Sequence, residues 1–342
     1  QCDPVHLRRI YASQAHFDGH LLHDDYVRTL DPAEAQLFYV PTFLMQRHTW
    51  GGFVQRSLLK AYEYVRHHYP YWNRSKGRDH IWFLPGEKQT CAVPKEILDV
   101  SIVMGHWGGQ KGFSGAYTDC VDQRKDIVVP PITPIQHNLV KFRERLQEPM
   151  RRADRRDSSA ERSGPLLLFA GGIFTFGASQ SLKRKHGVDT TEKQQAWQTR
   201  AEREPCADLV KSMDPRRGLF RKCRDTYSMG VRAAVWRHRL WAEPDMKIVS
   251  AGIPDYLEVA ASSRFCLHTE GNSWGTRLID QMAIECIPLI VNDGMILPWH
   301  NIIPDYANFS IHLSKRQVPE IPAILRAASN ASMARMRARL RE

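Results

Sequence analysis

Short apolar runs alternate with longer helical patterns along the first half of this chain. From Gly52 to His68, apolar residues recur at Val54, Leu58, Tyr62 and Val65, which is the spacing of an amphipathic helix. Four short apolar runs around this helix predict β-strands at residues 35–40, 80–84, 101–105 and 126–131. Strands and helices that alternate at this pitch predict an α/β layer with a largely parallel sheet.

A second series of strand-like and helical segments begins at residue 166. Its strands are predicted at residues 166–172, 246–250, 264–268 and 287–291. Helices between them are predicted at residues 223–241, 254–262 and 273–285. The tail pattern predicts one or two amphipathic helices at residues 319–340. Together the two series predict two α/β lobes with a cleft, a usual place for ligands.

The boundary between the two domains is predicted from a change in composition. Between residues 144 and 164 the chain is charged and serine-bearing, without apolar periodicity. The length of 342 residues also exceeds the roughly 150 to 200 residues of one ordinary domain. We predict an N-terminal domain, a charged linker, a C-terminal domain and terminal helices at residues 1–150, 151–164, 165–320 and 321–342. The arginines of residues 151–156 could grip a polyanion, but a solvated linker is the preferred interpretation.

The composition indicates a basic surface, since the net charge is +11 and the pI is near 9.4. This charge favours a polyanionic or phosphate-bearing partner, or an acidic membrane surface. Nucleic acid is not an expected partner, because zinc-finger, RNP and helix-turn-helix signatures are missing. No apolar run approaches the about 20 residues that span a bilayer. The chain begins with Gln rather than Met, so an upstream segment can be missing.

Seven cysteines without a CxxC pair argue against a zinc site. Cys266 and Cys286 lie in apolar runs and are predicted to be buried, unreactive thiols. An oxidising compartment would allow a disulfide between Cys91 and Cys120. It would also allow a second disulfide in the C-terminal half, between Cys206 and Cys223.

Glycosylation sequons give a second indication of compartment. Three of the seven asparagines begin N-x-S/T sequons, against about one expected by chance. Coincidence remains the alternative. The pattern favours the secretory pathway, with glycosylation predicted at Asn73, Asn308 and Asn330.

The segment HTEGNSWGTRLIDQ, residues 268–281, separates two apolar runs with polar residues and glycines. A strand that ends at a glycine loop and continues into a helix, here with Ser273 as N-cap, aims backbone N–H groups at one spot. Arg277 and Asp280 share a face of that helix and suit a diphosphate and the hydroxyls of a ribose. Glu270 is a second candidate for hydroxyl binding. An ordinary surface ion pair beside ordinary turns is the alternative.

Several separated blocks resemble the exostosin family of glycosyltransferases, which includes plant and algal cell-wall enzymes and the animal heparan sulfate polymerases. The blocks keep the family's order over roughly residues 25–335 and lie at residues 31–41, 69–84, 125–131, 166–172, 255–277 and 286–311. The resemblance implies an α/β fold of GT-B architecture, in which two Rossmann-like domains face a cleft. The donor sugar nucleotide is expected in the C-terminal domain, and the acceptor is expected to face the N-terminal one. The resemblance also implies a Golgi-lumen enzyme with a single-pass type II anchor, and that anchor is absent from this chain.

The resemblance also gives roles to individual residues of the C-terminal domain. Arg232 and Arg277 are expected to bind the diphosphate, and Asp280 the ribose. An exposed helix arginine is the alternative for Arg232. The glycines after the first strand of this domain would let the chain pass close to the ligand. The remaining donor-site residues are Gly171, Gly172, Glu270, Gly271 and Ser273.

A general base must take the proton of the acceptor hydroxyl, and in this architecture it comes from the N-terminal domain. Many family members carry a His-Asp pair in the loop after the second strand. Here Gly86 replaces the His, and Glu87 falls at the position of the Asp. His106, at the end of another strand, is the competing candidate. Either residue could instead be structural, and Glu87 is slightly preferred.

The leading hypothesis is an inverting glycosyltransferase that moves a sugar from a UDP-sugar to a polysaccharide or glycoprotein glycan. Inversion is implied by the resemblance. No two aspartates are two residues apart, so a D-x-D metal clamp is missing and no obligatory cofactor is expected. The alternative is a catalytically weakened glycan- or polyanion-binding protein on the same fold. The expected partners are a UDP-sugar and a glycan acceptor, and homo- or hetero-oligomers with related transferases are allowed.

Overall fold

The structure of the chain is a computed structural model that describes residues 12–42, 44, 52–86, 89–109, 120–132, 162–172, 227–249, 252–271, 275–303 and 305–342. These residues form a mixed α/β fold with two parallel β-sheets, as predicted. The predicted Cys206–Cys223 pair and residues 151–161 of the predicted linker lie outside the described residues.

The first sheet has four strands in the order β1-β2-β3-β4, and all neighbouring strands are parallel. At its centre, Trp82 of β2 lies between Val40 of β1 and Val103 of β3. Each strand falls inside a segment predicted from the sequence, so those predictions are confirmed. The strands are β1 (Phe38–Val40), β2 (His80–Leu84), β3 (Ile102–Gly105) and β4 (Ile127–Val128).

One long helix packs beside this sheet and matches its predicted bounds. Its apolar residues Val54, Leu58 and Tyr62 are buried in one cluster with Trp72 and Trp82. Burial of that stripe explains the helix and leaves its opposite face in solvent. The helices of this part are α1 (Ser13–Leu22), α2 (Gly52–His68), α3 (Tyr71–Ser75) and α4 (Lys95–Leu98), with a 3₁₀ turn at Gln89–Ala92.

The second sheet has five strands in the order β6-β5-β7-β8-β9, again all parallel. Its core side chains are almost fully buried, and Leu167, Phe265 and Leu289 are 0% exposed. Near-continuous apolar strands are typical of parallel sheets that are covered on both faces. The strands are β5 (Leu167–Ala170), β6 (Met246–Val249), β7 (Phe265–His268), β8 (Ile287–Val291) and β9 (Ile311–Leu313).

Short helices connect these strands. The tail, for which one or two helices were predicted, forms two. Ile321, Leu325 and Met333 of the tail are buried in the core of the second sheet. The helices are α5 (Val231–Arg237), α6 (Tyr256–Ser262), α7 (Arg277–Ala283), α8 (Ile321–Ala327) and α9 (Asn330–Arg341). The 3₁₀ turns are Tyr227–Gly230, Leu240–Ala242, Tyr306–Asn308 and Lys315–Glu320.

The helix predicted at residues 273–285 is shorter than expected and begins only at Arg277. The N-cap prediction for Ser273 is therefore wrong, because residue 276 is the one that precedes the first turn. Gly275 has a low helix propensity and lies just before this start. At the other end, Glu285 takes a left-handed conformation with φ of 56°, which is typical after a helix end.

The cysteines require one correction. Cys266 and Cys286 are not free thiols but form a disulfide, with their Cα atoms 5.8 Å apart. The sequence did not show this, because the pairing depends on β7 and β8 becoming neighbours in the sheet. The predicted bridge between Cys91 and Cys120 is present, with Cα atoms 4.7 Å apart.

The chain divides into two compact units, each discontinuous in sequence. One unit comprises Gln1–Phe142, Asn272–Asp280 and Gly294–Tyr306, and it contains the first sheet. The other comprises Arg143–Gly271, Gln281–Asp293 and Ala307–Glu342, and it contains the second sheet. Among the helices of the described ranges, none combines the length and the apolar character needed to cross a membrane.

Candidate active site

The order of strands in the second sheet reverses at β5. In sequence β5 is followed by β6 on one side, and the chain then returns to place β7 on the other side. Ligands of parallel α/β sheets bind outside the carboxyl ends of the strands at such a reversal. Gly171 and Gly172 follow β5 at this edge, and the Gly171 N–H donates to the Val249 carbonyl at 3.0 Å. The segments after β5 and β7 are therefore the expected ligand position.

Arg232 connects these two segments. It is the second residue of α5, and it is 9% exposed. Its Nη1 donates to the Gly172 carbonyl at 2.7 Å, and its Nε donates to Thr269 Oγ1 at 2.8 Å. The guanidinium carbon lies 5.4 Å from the centre of the Phe169 ring. Arg232 is therefore not an exposed surface arginine, the alternative that the sequence left open.

Glu270 follows β7 by two residues and is 0% exposed. Neither of its carboxylate oxygens accepts a hydrogen bond from another residue within the part of the chain that the structure describes. Burial raises the pKa of Glu270 to about 8, while its own backbone N–H and the charges of Arg232 and Lys315 act in the lowering direction and the charge of Asp293 raises it further. A buried carboxyl without partners is costly, and such groups concentrate at functional sites. Its two oxygens can accept hydrogen bonds from the hydroxyl groups of a ligand.

Two charged residues after β8 and β9 border the same edge, and sequence reasoning missed both. The Lys315 N–H donates to the Asp293 carboxylate at 3.2 and 3.4 Å. The Lys315 Nζ donates to the carbonyl of Met229 at 3.2 Å. Each residue lies two positions after a strand end, and carboxyl ends of parallel strands meet at one edge of a sheet. Asp293 could have been found from its position after the predicted strand at residues 287–291. Lys315 could not, because the strand before it, β9, was not predicted.

The carboxyl edge of the second sheet thus combines glycine backbone, a buried arginine and a buried carboxyl to which no other described residue donates, at a strand-order reversal. Comparison of the sequence with known protein families identifies the family of this chain. A family model described as the Exostosin GT47 domain matches residues 2–328. The chain belongs to the exostosin GT47 family. The resemblance drawn from the sequence blocks is confirmed.

Similar GT47 proteins include plant proteins of low identity. A rice protein named "Probable glucuronosyltransferase GUT1" is 25% identical over 98% of this chain and 69% of its own length. An Arabidopsis thaliana protein named "Probable beta-1,4-xylosyltransferase IRX10L" is 24% identical over 95% of this chain and 66% of its own. A Physcomitrium patens protein named "Probable glucuronosyltransferase 47 A" is 25% identical over 94% of this chain and 61% of its own. The chain thus spans about two thirds of the length of these relatives.

Two other donor-site candidates of this GT47 chain, Arg277 and Asp280, lie on α7 three residues apart. Arg277 is half-buried and Asp280 is 8% exposed, and the Asp280 N–H donates to the Thr276 carbonyl at 3.3 Å. The next residue, Gln281, donates from Nε2 to the Leu267 carbonyl at 3.3 Å, and both of these residues belong to the second unit. The roles of Arg277 and Asp280 stay predictions, as does that of Gly271.

His106, a candidate base in the GT47 reaction, directly follows β3 at the carboxyl edge of the first sheet. Its ring is 1% exposed and lies edge-to-face against Phe83, with ring centres 5.8 Å apart. Burial lowers the pKa of His106 to about 4, so the ring is neutral at pH 7. In that form Nδ1–H donates to the Val129 carbonyl at 2.8 Å. Nε2 then keeps a lone pair that no described residue contacts by a hydrogen bond.

The other candidate base, Glu87, lies outside the described residues, as does Ser273 of the donor loop. Beside Glu87, the Gly86 N–H donates to the Gln89 side-chain oxygen at 2.8 Å. A Cβ on Gly86 would meet the Gln89 side chain at 2.2 Å, so the histidine of many GT47 relatives would require that side chain to move. The Gln89 side chain thus occupies the space that a side chain at position 86 would need.

The three predicted glycosylation sites are all accessible in the structure. Each asparagine side chain is exposed, which an attached glycan requires. The sites lie in separate elements, with Asn73 on α3, Asn308 in the 3₁₀ turn before β9, and Asn330 at the start of α9.

Proposed function

We propose that this GT47 chain transfers a sugar from a UDP-sugar to a glycan acceptor, with inversion at the anomeric carbon and without an obligatory metal ion. The C-terminal domain predicted from the sequence, residues 165–320, would bind the donor and the N-terminal domain, residues 1–150, the acceptor, in a GT-B arrangement. The names of the plant relatives make glucuronic acid and xylose the first sugars to test.

The observation that carries the proposal is Glu270. It is a fully buried carboxyl at the carboxyl edge of the second sheet, and among the residues that the structure describes no other residue donates a hydrogen bond to its oxygens, so they can accept from a ligand. Ribose and sugar hydroxyls can donate in this way. The positive charge of Arg232 lies close enough to influence Glu270, and a cation beside a hydroxyl-binding carboxylate suits a nucleoside diphosphate.

In the proposed reaction, an acceptor hydroxyl oxygen attacks the anomeric carbon of the donor sugar. The bond from that carbon to the diphosphate oxygen breaks, and UDP leaves with the bonding electron pair. Arg232 and Arg277 would meet the charge of the diphosphate, and Glu270 and Asp280 would accept from hydroxyl groups. Displacement from the face opposite the leaving group inverts the configuration.

The proton of the acceptor hydroxyl would pass to Glu87 or to His106. We place it on Glu87, because a histidine with a pKa of about 4 is a weak base and is almost inaccessible. Glu87→Gln should then abolish turnover and leave UDP affinity unchanged. His106→Asn should keep most of the turnover, because an asparagine can still donate to the Val129 carbonyl. The reverse result would assign the base to His106.

The compartment belongs to the same proposal. Two disulfides join cysteines in the described residues, and disulfides persist in oxidising compartments. Together with three accessible sequons, they support a chain that works in the Golgi lumen. A type II membrane anchor remains part of the proposal.

The donor site is tested by UDP binding to the purified chain, measured by titration calorimetry. Glu270→Gln removes the group that would ionise to accept hydrogen bonds from UDP and should weaken UDP binding about tenfold or more. Glu258→Gln is the matched control, since Glu258 is an exposed carboxylate on α6 of the same unit, and it should bind UDP like the wild type. A wild-type chain that binds no UDP, or a Glu270→Gln chain that binds it equally well, would contradict the proposal.

The sugar is tested by a donor panel of UDP-xylose, UDP-galactose, UDP-arabinose and UDP-glucuronic acid, scored by release of UDP. One donor should be hydrolysed slowly even without acceptor. The second candidate function, a glycan-binding protein with weakened catalysis, is favoured by the changed Gly86 loop. That function predicts glycan affinity that neither UDP nor Glu270→Gln alters.

A further inference from the structure

The outer face of α2 carries a row of exposed side chains that the proposed donor and acceptor chemistry does not use. Arg56, Lys60, Tyr64 and His68 follow one another at four-residue spacing, and all are exposed. Residues four apart on a helix lie on the same face. At about 1.5 Å per residue, this row extends over about 18 Å along the helix.

The aromatic end of this row is unusual for a solvent-facing helix. Tyr64 is 53% exposed, and Tyr69 just after the helix is 47% exposed. Tyr64 stacks on His68 with ring centres 4.2 Å apart, and Tyr69 meets Tyr64 edge-on at 6.0 Å. The rings therefore hold one another in place while the tyrosines keep much of their surface in water. A preorganised aromatic surface of this kind can bind a ligand with little loss of side-chain entropy.

The cationic end of the row is unpaired within the described chain. No hydrogen bond or ion pair joins Arg56 or Lys60 to another described residue. Glu63 is the single acidic residue of α2, and its carboxylate lies 3.4 Å from His67. The row thus presents two free cations followed by aromatic rings on a chain of net charge +11.

We propose that the face formed by Arg56, Lys60, Tyr64, His68 and Tyr69 binds an acidic polysaccharide that carries uronic-acid carboxylates. The choice of a glycan rests on the proposed glycan transfer. Sugar rings present C–H faces that pack on tyrosine, and their carboxylates recur along the polymer to meet Arg56 and Lys60. Charge complementarity between this face and such a polymer selects it over a neutral glycan.

The experiment measures binding of the full chain to polygalacturonate, without any donor sugar, at low salt and at physiological salt. Arg56→Ala/Lys60→Ala should weaken binding about fivefold or more at low salt, and less at physiological salt because exposed charges are screened. Tyr64→Ala should weaken it about threefold or more at both salt concentrations, while Tyr64→Phe should keep wild-type affinity.

The matched control is Arg335→Ala/Arg339→Ala, which removes the same charge from exposed positions of α9. It should leave the affinity within about twofold of wild type, and neutral xylan should bind more weakly than polygalacturonate. Equal losses in the α2 and α9 variants would show unspecific charge attraction and overturn the proposal. Single-stranded DNA binding more tightly than polygalacturonate through the same residues would also overturn it. Because no donor is present, this result and the UDP measurement fail independently, and unchanged thermal unfolding midpoints confirm that the variants are folded.

Discussion

The carboxyl edges of the two sheets differ in what burial does to their titratable groups. In the first sheet, whose described strands follow in consecutive order, burial lowers the pKa of His106 to about 4. In the second sheet, at the strand-order reversal, burial raises the pKa of Glu270 to about 8. The same loss of solvation favours the neutral form of each group. At pH 7 the first edge therefore holds an uncharged proton acceptor, and the second holds a carboxyl that still carries its proton.

The difference also concerns partners. His106 satisfies one ring nitrogen with the Val129 carbonyl, whereas neither oxygen of Glu270 accepts a hydrogen bond from another described residue. A ligand that donates hydrogen bonds would therefore supply partners to two oxygens at the second edge, whereas one ring nitrogen at the first edge already has its partner. The comparison teaches that burial alone does not mark a site, and that burial without partners is the more specific signal.

The largest expected effect comes from removing Arg232, which links the two segments of the second edge. Arg232→Ala leaves the Gly172 carbonyl and the Thr269 side chain without their donor and takes a positive charge away from the region of Glu270. We expect a loss of about 5 kcal/mol in the free energy of unfolding, measured by urea denaturation. Arg335→Ala on α9 is the exposed control and should stay within about 0.5 kcal/mol of wild type. Equal midpoints for the two variants would show that Arg232 does not hold the edge together.

Removing the acid of the second edge should change how stability depends on pH. Because the pKa of Glu270 is raised from 4.5 to about 8, the folded chain holds a proton that the unfolded chain has lost. The stability contributed by this group is then full below about pH 4.5 and falls between pH 4.5 and 8, on the order of 1 kcal/mol per pH unit. Glu270→Gln should remove that fall and leave the variant more stable than wild type at pH 8.

The same acid should link UDP binding to protons. If ribose hydroxyls donate to an ionised Glu270, UDP binding at pH 7 releases a proton, and calorimetry in buffers of different ionisation enthalpy detects it. Glu270→Gln should bind UDP without that release. A wild-type enthalpy that is identical in all buffers would argue against a carboxylate that ionises on binding.

The histidine of the first edge should give a smaller effect of opposite sign. The pKa of His106 is lowered from 6.5 to about 4, so the unfolded chain binds the proton more readily. Stability contributed by the neutral ring is present above about pH 6.5 and is lost as the pH falls toward 4. His106→Asn should flatten that part of the stability curve, measured by urea denaturation at several pH values. An unchanged acid limb would assign the loss of stability to other groups.

The smallest expected effect tests the charges around Glu270. The carboxylate of Asp293 raises the pKa of Glu270, so Asp293→Asn should move the pH-dependent fall in stability to lower pH by less than one unit. Asparagine can still accept from the Lys315 N–H, which limits the structural change. A shift to higher pH would contradict the sign of this interaction.

Much of the fold could be predicted because burial follows local pattern. Strand β2 and helix α2 occupy the predicted residues, since each packs an apolar stripe whose period is visible in the sequence. Helix α1 was not predicted, because its residues SQAHFDGHLL have no apolar periodicity. The start of α7 was predicted too early, because Ser273 was taken as the N-cap and the low helix propensity of Gly275 was not considered.

The candidate site was predicted where residues stand next to a recognisable strand. Glu270 and Arg232 could be named in this way, but their burial and the Arg232 contacts with Gly172 and Thr269 depend on which strands become neighbours. Lys315 was missed because β9 has only three residues, too few for a clear pattern. The disulfide between Cys266 and Cys286 was missed because it, too, depends on which strands become neighbours in the sheet.

That cross-link has a practical consequence for anyone who prepares the protein. Cys266 and Cys286 lie near the starts of β7 and β8, so the bond staples these strands at the end remote from Glu270 and Asp293. Closing a segment of this length is worth about 3 kcal/mol in the chain-entropy account of such bonds. Production in a reducing cytosol would give up that contribution, because the bond would not form during folding. Export to an oxidising folding compartment would retain it, and burial of both cysteines then shields the bond from thiols in the buffer.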